Sequence, residues 1–106
     1  MSRYRLEADL TVELDVEAAF AWYEAEQADL GFAFLEQLRI IYNRILTNPL
    51  AYPVIRSDIR RALMRQFPYA IYFVIELETI VVLAVCIWLE ILKNGNSSSS
   101  PSYRGE

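Results

Sequence analysis

Apolar residues recur at helical spacing through the first half of the chain and predict a pair of antiparallel helices. The first helix is expected to begin near Val12 with Thr11 as its cap, and Gly31 to separate it from the second. The second helix should end at Asn48-Pro49, because the residue before a proline is pushed out of helical geometry. The stripes expected to face the core are Val12, Val16, Ala19, Tyr23 and Leu30, then Phe34, Leu35, Leu38, Ile41, Tyr42 and Ile45.

The first helix also carries a second apolar surface, which suggests that it is covered on more than one side. Trp22 is its largest member, and it either packs inside the protein or contacts a partner. Both alternatives stay open at this stage. The surface consists of Leu14, Ala18, Ala21, Trp22 and Ala25.

Apolar runs with strand-like alternation dominate the second half of the chain. A short first strand is expected at Arg3–Ala8, before the helices, and Leu50–Asp58 is expected to be a connecting loop. The short Leu77-Glu78 link favours an antiparallel hairpin. The predicted fold class is therefore α+β: an N-terminal strand, a helical hairpin and a three-stranded antiparallel meander. The strands of the meander are expected at Ile59–Gln66, Tyr69–Glu76 and Thr79–Ile87.

The strands of the meander are apolar on both faces, and two helices can cover only one face of a sheet. Hydrophobic residues make up 55% of the 106-residue chain, which is a large share for one small domain. We therefore expect a partner or an oligomer to cover the remaining surface. The domain is expected to span residues 1–93, and the Ser-rich segment Asn94–Glu106 to be disordered.

Composition excludes several kinds of site. The chain has no histidine and only three glycines, so the usual metal ligand, the usual general base and a glycine-rich phosphate loop are absent from the sequence. No cofactor is expected. A single cysteine, Cys86, suits a reducing cytoplasm. The sequence shows no secretory signal, and the apolar run Ile80–Leu89 is too short to span a bilayer, so a cytoplasmic protein is expected.

Charge is unevenly distributed around a net value of −4. Acids dominate residues 1–36, whereas arginines gather between residues 37 and 66. Arg60, Arg61 and Arg65 precede the Phe67-Pro68-Tyr69 corner, on what is expected to be an edge strand. They either contact an anionic partner or protect the sheet edge from aggregation. Alternation along this strand predicts Arg61 and Arg65 on one face and Arg60 on the other. The candidate catalytic residues are Arg61, Arg65 and Tyr69, and the candidate partner-binding residues are Trp22, Arg60, Arg61, Arg65 and Tyr72.

Four segments give the chain its resemblance to the RelE/ParE superfamily of bacterial toxins, known also as plasmid stabilisation proteins. They are AFAWYEAEQADLGFAFLEQL (Ala19–Leu38), NPLAYPVI (Asn48–Ile55), IRRALMRQFPYAIYF (Ile59–Phe73) and TIVVLAVC (Thr79–Cys86). The resemblance covers roughly residues 3–86, and FPYAIYF after the paired arginines is its most specific part. It implies a strand, a helical hairpin and an antiparallel sheet, together with a cognate antitoxin that wraps the toxin.

The residues after Cys86 depart from the resemblance. Family members commonly continue with a tail resembling His-x-x-Arg-Asp/Asn-Pro, basic residues and a Trp, whereas this chain reads CIWLEILKNGN. One base restored after the Cys86 codon converts a back-translation of these residues into HMARNPKKWQ, which matches the family tail. Our hypothesis is that residues 87–106 are a frameshifted tail that inactivates a toxin. A divergent but genuine C-terminus is the alternative.

Three functions follow from the residues and the resemblance. The first is a ParE-like growth inhibitor that binds a replication target such as DNA gyrase. The second is a ribosome-dependent endoribonuclease that uses Arg61 and Arg65 on phosphate. The third is a non-toxic protein-interaction module, either a degenerate toxin or a fold reused for binding. A neighbouring gene for an antitoxin would separate the first two functions from the third.

Overall fold

The chain forms one sheet packed against a helical hairpin, as the computed structural model, which describes residues 3–88, shows. The α+β class and the order of strand, helical hairpin and meander are confirmed. The structure adds one strand before the meander. The elements are β1 (Arg5–Ala8), α1 (Leu10–Glu26), α2 (Leu30–Thr47), a short 3-10 helix (Pro49–Ala51), β2 (Val54–Arg56), β3 (Ile59–Leu63), β4 (Tyr69–Glu76) and β5 (Thr79–Ile87).

The five strands lie in the order β1-β5-β4-β3-β2. β1 runs parallel to β5, with Arg5 opposite Thr79, and the other neighbours are antiparallel. The helical hairpin therefore connects one edge of the sheet to β2 at the opposite edge. The three strands of the meander occupy the interior of the sheet and the two short strands protect its edges.

The prediction that Leu50–Asp58 is only a connecting loop was wrong. This segment contains the 3-10 helix and β2, in which Val54 pairs with Arg60. Ser57, which has a φ of 53°, sits in the tight turn between β2 and β3. The sequence does not indicate β2, because a strand of three residues after a proline is too short to show alternation of apolar and polar side chains. β3 is consequently covered by β2, and the expectation that its arginines lie on an edge strand is also wrong.

Two details of the helical hairpin differ from the prediction. Asp9, and not Thr11, caps α1, since its Oδ1 accepts a hydrogen bond from the Val12 N–H at 3.2 Å. The helices separate at residues 27–29, before Gly31, which lies inside α2. A Cβ at Gly31 would come within 2.6 Å of the Phe20 carbonyl oxygen, so glycine is needed there for the close approach of the two helices.

The hydrophobic core lies between the helices and one face of the sheet. The predicted stripe of α2 supplies Phe34, Leu38, Ile41 and Ile45, all buried, while Leu35 and Tyr42 are half-buried. From the sheet, Ile71 and Phe73 of β4 face Val85 and Val82 of β5. The register shifts between Tyr72 and Phe73, so Leu83 is an extra residue in β5.

Residues 89–106 lie outside the described part of the chain, and so do the predicted Ser-rich tail and most of the proposed frameshifted segment. Ile87, the first residue after Cys86, still belongs to β5 and pairs with Tyr69. Within residues 3–88, neither helix is long and apolar enough to cross a membrane.

Candidate functional site

The alternation of β3 places Arg61 on the face of the sheet that the helices do not cover. Its neighbours Arg60 and Ala62 point the other way, and Ala62 is buried in the core. Arg61 is directly opposite Tyr72 in β4, which is in turn opposite Ala84 in β5. Residues that pair directly across strands share a face, so these three side chains form a row on the outer face.

Trp88 closes this row immediately after the end of β5. The guanidinium of Arg61 lies 5.1 Å from the centre of the Trp88 ring, which is within the range of a cation–π interaction. The backbone N–H of Trp88 donates a hydrogen bond to the Pro68 carbonyl at 2.7 Å, which holds Trp88 beside the turn that precedes β4. We refer to Arg61, Tyr72 and Trp88 as the arginine–tryptophan cluster.

Tyr72 contributes a hydroxyl group that is a donor at neutral pH. Burial raises its pKa, the nearby Cys86 raises it further, and a hydrogen bond with Arg61 opposes both effects. Because the pKa remains above its ordinary value, the phenol keeps its proton and cannot act as a general base near pH 7. The arginine–tryptophan cluster thus offers a cation, a hydroxyl donor and an aromatic surface.

Arg60 is directed toward the helical side of the sheet, where it has a structural partner. Its Nη1 donates a hydrogen bond to the Tyr52 carbonyl at 2.6 Å. The bond joins β3 to the segment that follows the 3-10 helix, and Tyr52 also packs against Phe73 with ring centres 6.0 Å apart. Arg60 therefore does not share a surface with Arg61.

Arg65 lies outside the strand in which the sequence placed it. β3 ends at Leu63, and Arg65 is exposed in the connection to β4, between the buried residues Met64 and Phe67. The strand stops early because Met64 and Phe67 turn into the core. The prediction that Arg61 and Arg65 share one face of a strand is therefore wrong.

Tyr69 belongs to an aromatic group on the helical side of the sheet. Its ring lies 5.0 Å from that of Phe34 and 6.1 Å from that of Tyr23, measured between ring centres. Burial raises the pKa of Tyr69, with smaller contributions from Cys86 and Asp15. Its ring supports the core, and it lies on the opposite face from Arg61.

Trp22 occupies a separate surface, on the side of α1 away from the core. Its side chain is 60% exposed, and its ring touches only that of Tyr23, at 5.1 Å, among the ring contacts of the described residues. The alternative in which Trp22 packs inside the protein is therefore excluded by this structure. Of the predicted site residues, Arg61 and Tyr72 lie together on the outer face of the sheet, and Trp22 lies apart from them on the outer side of α1. Arg60 and Tyr69 are on the helical side of the sheet, and Arg65 is in the connection after β3.

Sequence reasoning missed Trp88, although a signal was present. Alternation from Ala84 through Cys86 to Trp88 places all three on one face. Trp88 was instead assigned to the aberrant tail. Among residues 3–88, no group of three or more His, Cys, Asp or Glu side chains could hold a metal ion.

Comparison with known proteins finds a solved structure with a similar fold. No model of a known protein family matches the sequence, and neither does any curated protein. Among solved structures, a chain described as "Chromosomal ParDE TA system from P. aeruginosa" superposes with a TM-score of 0.73 at 11% sequence identity. The match covers 82% of this chain and 98% of that chain. The fold is RelE/ParE-like. The resemblance found in the sequence is confirmed at the level of the fold.

Proposed function

We propose that the chain is the toxin component of a bacterial type II toxin–antitoxin system, a ParE-like growth inhibitor neutralised by a cognate antitoxin in the cytoplasm. One observation carries the proposal: nearly the whole of a chain from a ParDE system has a structural counterpart here. The exposed apolar residues of α1 and of the sheet, among them Leu14, Trp22 and Leu63, give an antitoxin a surface to cover.

The arginine–tryptophan cluster favours action by binding. Arg61 can contact an anionic group of a target when its guanidinium leaves the Trp88 ring, and the Tyr72 hydroxyl can donate a hydrogen bond beside it. A sequence without histidine, and a tyrosine that keeps its proton, leave this cluster without a general base. A ParE-like toxin that binds a replication target such as DNA gyrase fits these properties.

The endoribonuclease alternative has less support. It requires Arg61 and Arg65 to act together on phosphate, with Tyr69 as the third candidate. Arg61 lies within β3, Arg65 in the connection that follows, and Tyr69 on the helical side of the sheet. A ribosome target is therefore the second choice.

The tail bears on whether the toxin is active. If residues 87–106 are read from a shifted frame, the chain keeps the fold and the antitoxin surface and lacks the basic tail of the family. It would then behave as the non-toxic interaction module considered above. Sequencing of the gene and its neighbours would identify both the frame and an adjacent antitoxin.

The proposed function is tested by induced expression in a bacterial host, with and without the protein encoded by the adjacent frame. We expect the pair to form a soluble complex that copurifies, and any growth inhibition to disappear on coexpression. Arg61→Ala should weaken inhibition, whereas Arg39→Ala, a matched exposed arginine on α2, should not. Supercoiling by purified gyrase and toeprinting of translated mRNA then separate the two modes of action. A lack of any complex with the neighbouring protein would contradict the proposal.

A further inference from the structure

The outer side of α1 carries an exposed apolar stripe along the whole helix. Leu14 is 53% exposed and Trp22 60% exposed, and the alanines between and beyond them are exposed as well. Successive helical residues are rotated by about 100°, which places this stripe roughly opposite the buried residues Val12 and Ala19. The members of the stripe are Leu10, Leu14, Ala18, Ala21, Trp22 and Ala25.

Acidic residues border the stripe on both sides. Glu13, Glu17 and Glu24 follow one border and Asp15 and Glu26 the other, by the same rotation of about 100° per residue. α1 contains no lysine or arginine.

Within the described part of the chain, these carboxylates form no ion pair with a basic side chain. The ion pairs within residues 3–88 are Arg5–Glu7 and Glu36–Arg39, and neither involves α1. Glu24 has a structural role, since its carboxylate accepts hydrogen bonds from the N–H groups of Asp29 and Gly31 at 2.8 and 2.9 Å. The remaining acids give the borders of the stripe a negative potential that nothing in the described fold requires.

We infer that this stripe binds an amphipathic helix of a partner protein whose apolar positions are flanked by lysine or arginine. The alanines in the middle of the stripe leave room for a second helix to approach closely between Leu14 and Trp22. Basic flanks on that helix would meet the two acidic borders. The inference deepens the proposed function, on which it rests for the natural partner: the antitoxin segment that contacts α1 is expected to have these flanks.

Charge also argues against two other occupants. A second copy of α1 in either orientation would place acidic borders against acidic borders, which is unfavourable across an interface. An anionic membrane surface would be repelled by the same borders. The negative borders therefore select a basic partner.

A designed peptide tests the inference without knowledge of the antitoxin. The peptide is a helix of three heptads with leucine at positions a and d and lysine at e and g; its matched control has glutamate at e and g. We expect the lysine peptide to bind the full chain at least about tenfold more tightly than the glutamate peptide, as measured by fluorescence anisotropy. The affinity of the lysine peptide should fall with added salt. Equal binding of both peptides, or no binding of the lysine peptide, would overturn the inference.

Substitutions locate the binding surface. Trp22→Ser and Leu14→Ser should each lower the affinity for the lysine peptide by about tenfold. Leu50 is 65% exposed in the 3-10 helix, away from the stripe, and Leu50→Ser should change this affinity by less than about twofold. Circular dichroism checks that each variant folds. Asp15→Lys with Glu17→Lys provides a second test, since it should shift preference toward the glutamate peptide. An equal loss with Leu50→Ser would overturn the assignment.

Two further outcomes are distinguishable. If sedimentation shows a dimer of the chain alone that Trp22→Ser dissociates, a second copy is the occupant and the inference is overturned. The peptide measurement does not depend on toxicity. A chain that binds the lysine peptide but no neighbouring protein supports the docking surface and contradicts the proposed function, whereas a toxic, antitoxin-bound chain indifferent to both peptides contradicts the docking surface alone.

Discussion

Arg61 and Trp88 are in contact across the outer face of the sheet, with the guanidinium 5.1 Å from the centre of the indole ring. The contact joins β3 to the residue that follows β5, across the intervening strand β4. It also joins Arg61, which lies in the part of the chain that resembles RelE/ParE toxins, to Trp88. The resemblance ends at Cys86, so Trp88 lies beyond it. The contact is therefore relevant to both stability and function.

A double-mutant cycle should detect this contact. We expect Arg61→Ala and Trp88→Ala each to lower the free energy of unfolding, with a coupling of about 0.5–1 kcal/mol, because the pair is only partly exposed. Urea denaturation of the four proteins provides the measurement. Arg65→Ala combined with Trp88→Ala is the matched control and should show no coupling, since Arg65 lies in the connection after β3.

Gly31→Ala should destabilise the protein although alanine favours helices. An unconstrained helical position would gain about 1 kcal/mol from this change. Here the new methyl would come within 2.6 Å of the Phe20 carbonyl and 2.7 Å of its ring. We expect a net loss of about 1–3 kcal/mol in the free energy of unfolding, because the helices must move apart. An unchanged or raised melting temperature would show that the hairpin adapts without cost.

Stability should decline in alkaline solution, with Tyr42 as one cause. Burial, assisted by the charge of Glu13, raises the pKa of Tyr42 to about 12. A raised pKa means that folding favours the protonated phenol. Its contribution is therefore complete below the ordinary pKa near 10 and is lost as the pH rises from about 10 to 12.

Tyr42→Phe isolates this contribution. The variant should lose less stability than the parent between about pH 10 and 12, by on the order of 1–2 kcal/mol after allowance for solvent screening. Urea unfolding at a series of pH values measures the difference. Glu13→Gln should produce a smaller change in the same direction, since burial is the larger cause. Identical pH profiles for the parent and Tyr42→Phe would exclude the assignment.

The sequence predicted those parts of the fold in which apolar residues recur at one regular spacing, either that of a helix or that of a strand. The stripe of α2 repeats over about three turns, and Phe34, Leu38, Ile41 and Ile45 are all buried as expected. β4 and β5 are long enough for their ends to be recognised to the residue. β2 was missed because pairing with β3, and not its own three-residue pattern, makes it a strand.

The candidate site was harder to predict than the fold because it depends on contacts between distant segments. Alternation correctly separated Arg60 from Arg61. It failed for Arg65, because the burial of Met64 and Phe67 ends β3 before that residue. The second apolar surface of α1 was visible in the sequence, but only the packing shows that nothing in the described fold covers it.

The final prediction concerns the residues after Cys86. Restoration of the HMARNPKKWQ tail by one inserted base changes Ile87→His and Trp88→Met before it adds any basic residue. The change therefore removes the indole that lies over Arg61 and leaves the guanidinium accessible on the outer face. The core does not depend on these two positions, since Ile87 is 54% exposed and the buried residue nearest to them in β5 is Val85. The fold should survive with a change in stability of about 1 kcal/mol or less.

We therefore expect the present chain to be weakly toxic or harmless and the restored chain to inhibit growth. The measurement is a plating assay of both forms under one inducible promoter at matched protein levels. Arg61→Ala in the restored chain is the control, and it should abolish the recovered growth inhibition if the uncovered guanidinium contacts the target.

Trp88→Met alone separates the two effects of the insertion. Growth inhibition by this variant would assign the recovered activity to the release of Arg61, and inhibition only with the full tail would assign it to the added basic residues. Equal toxicity of the present and restored chains would show that the tail is dispensable and that the contact between Arg61 and Trp88 does not restrain activity.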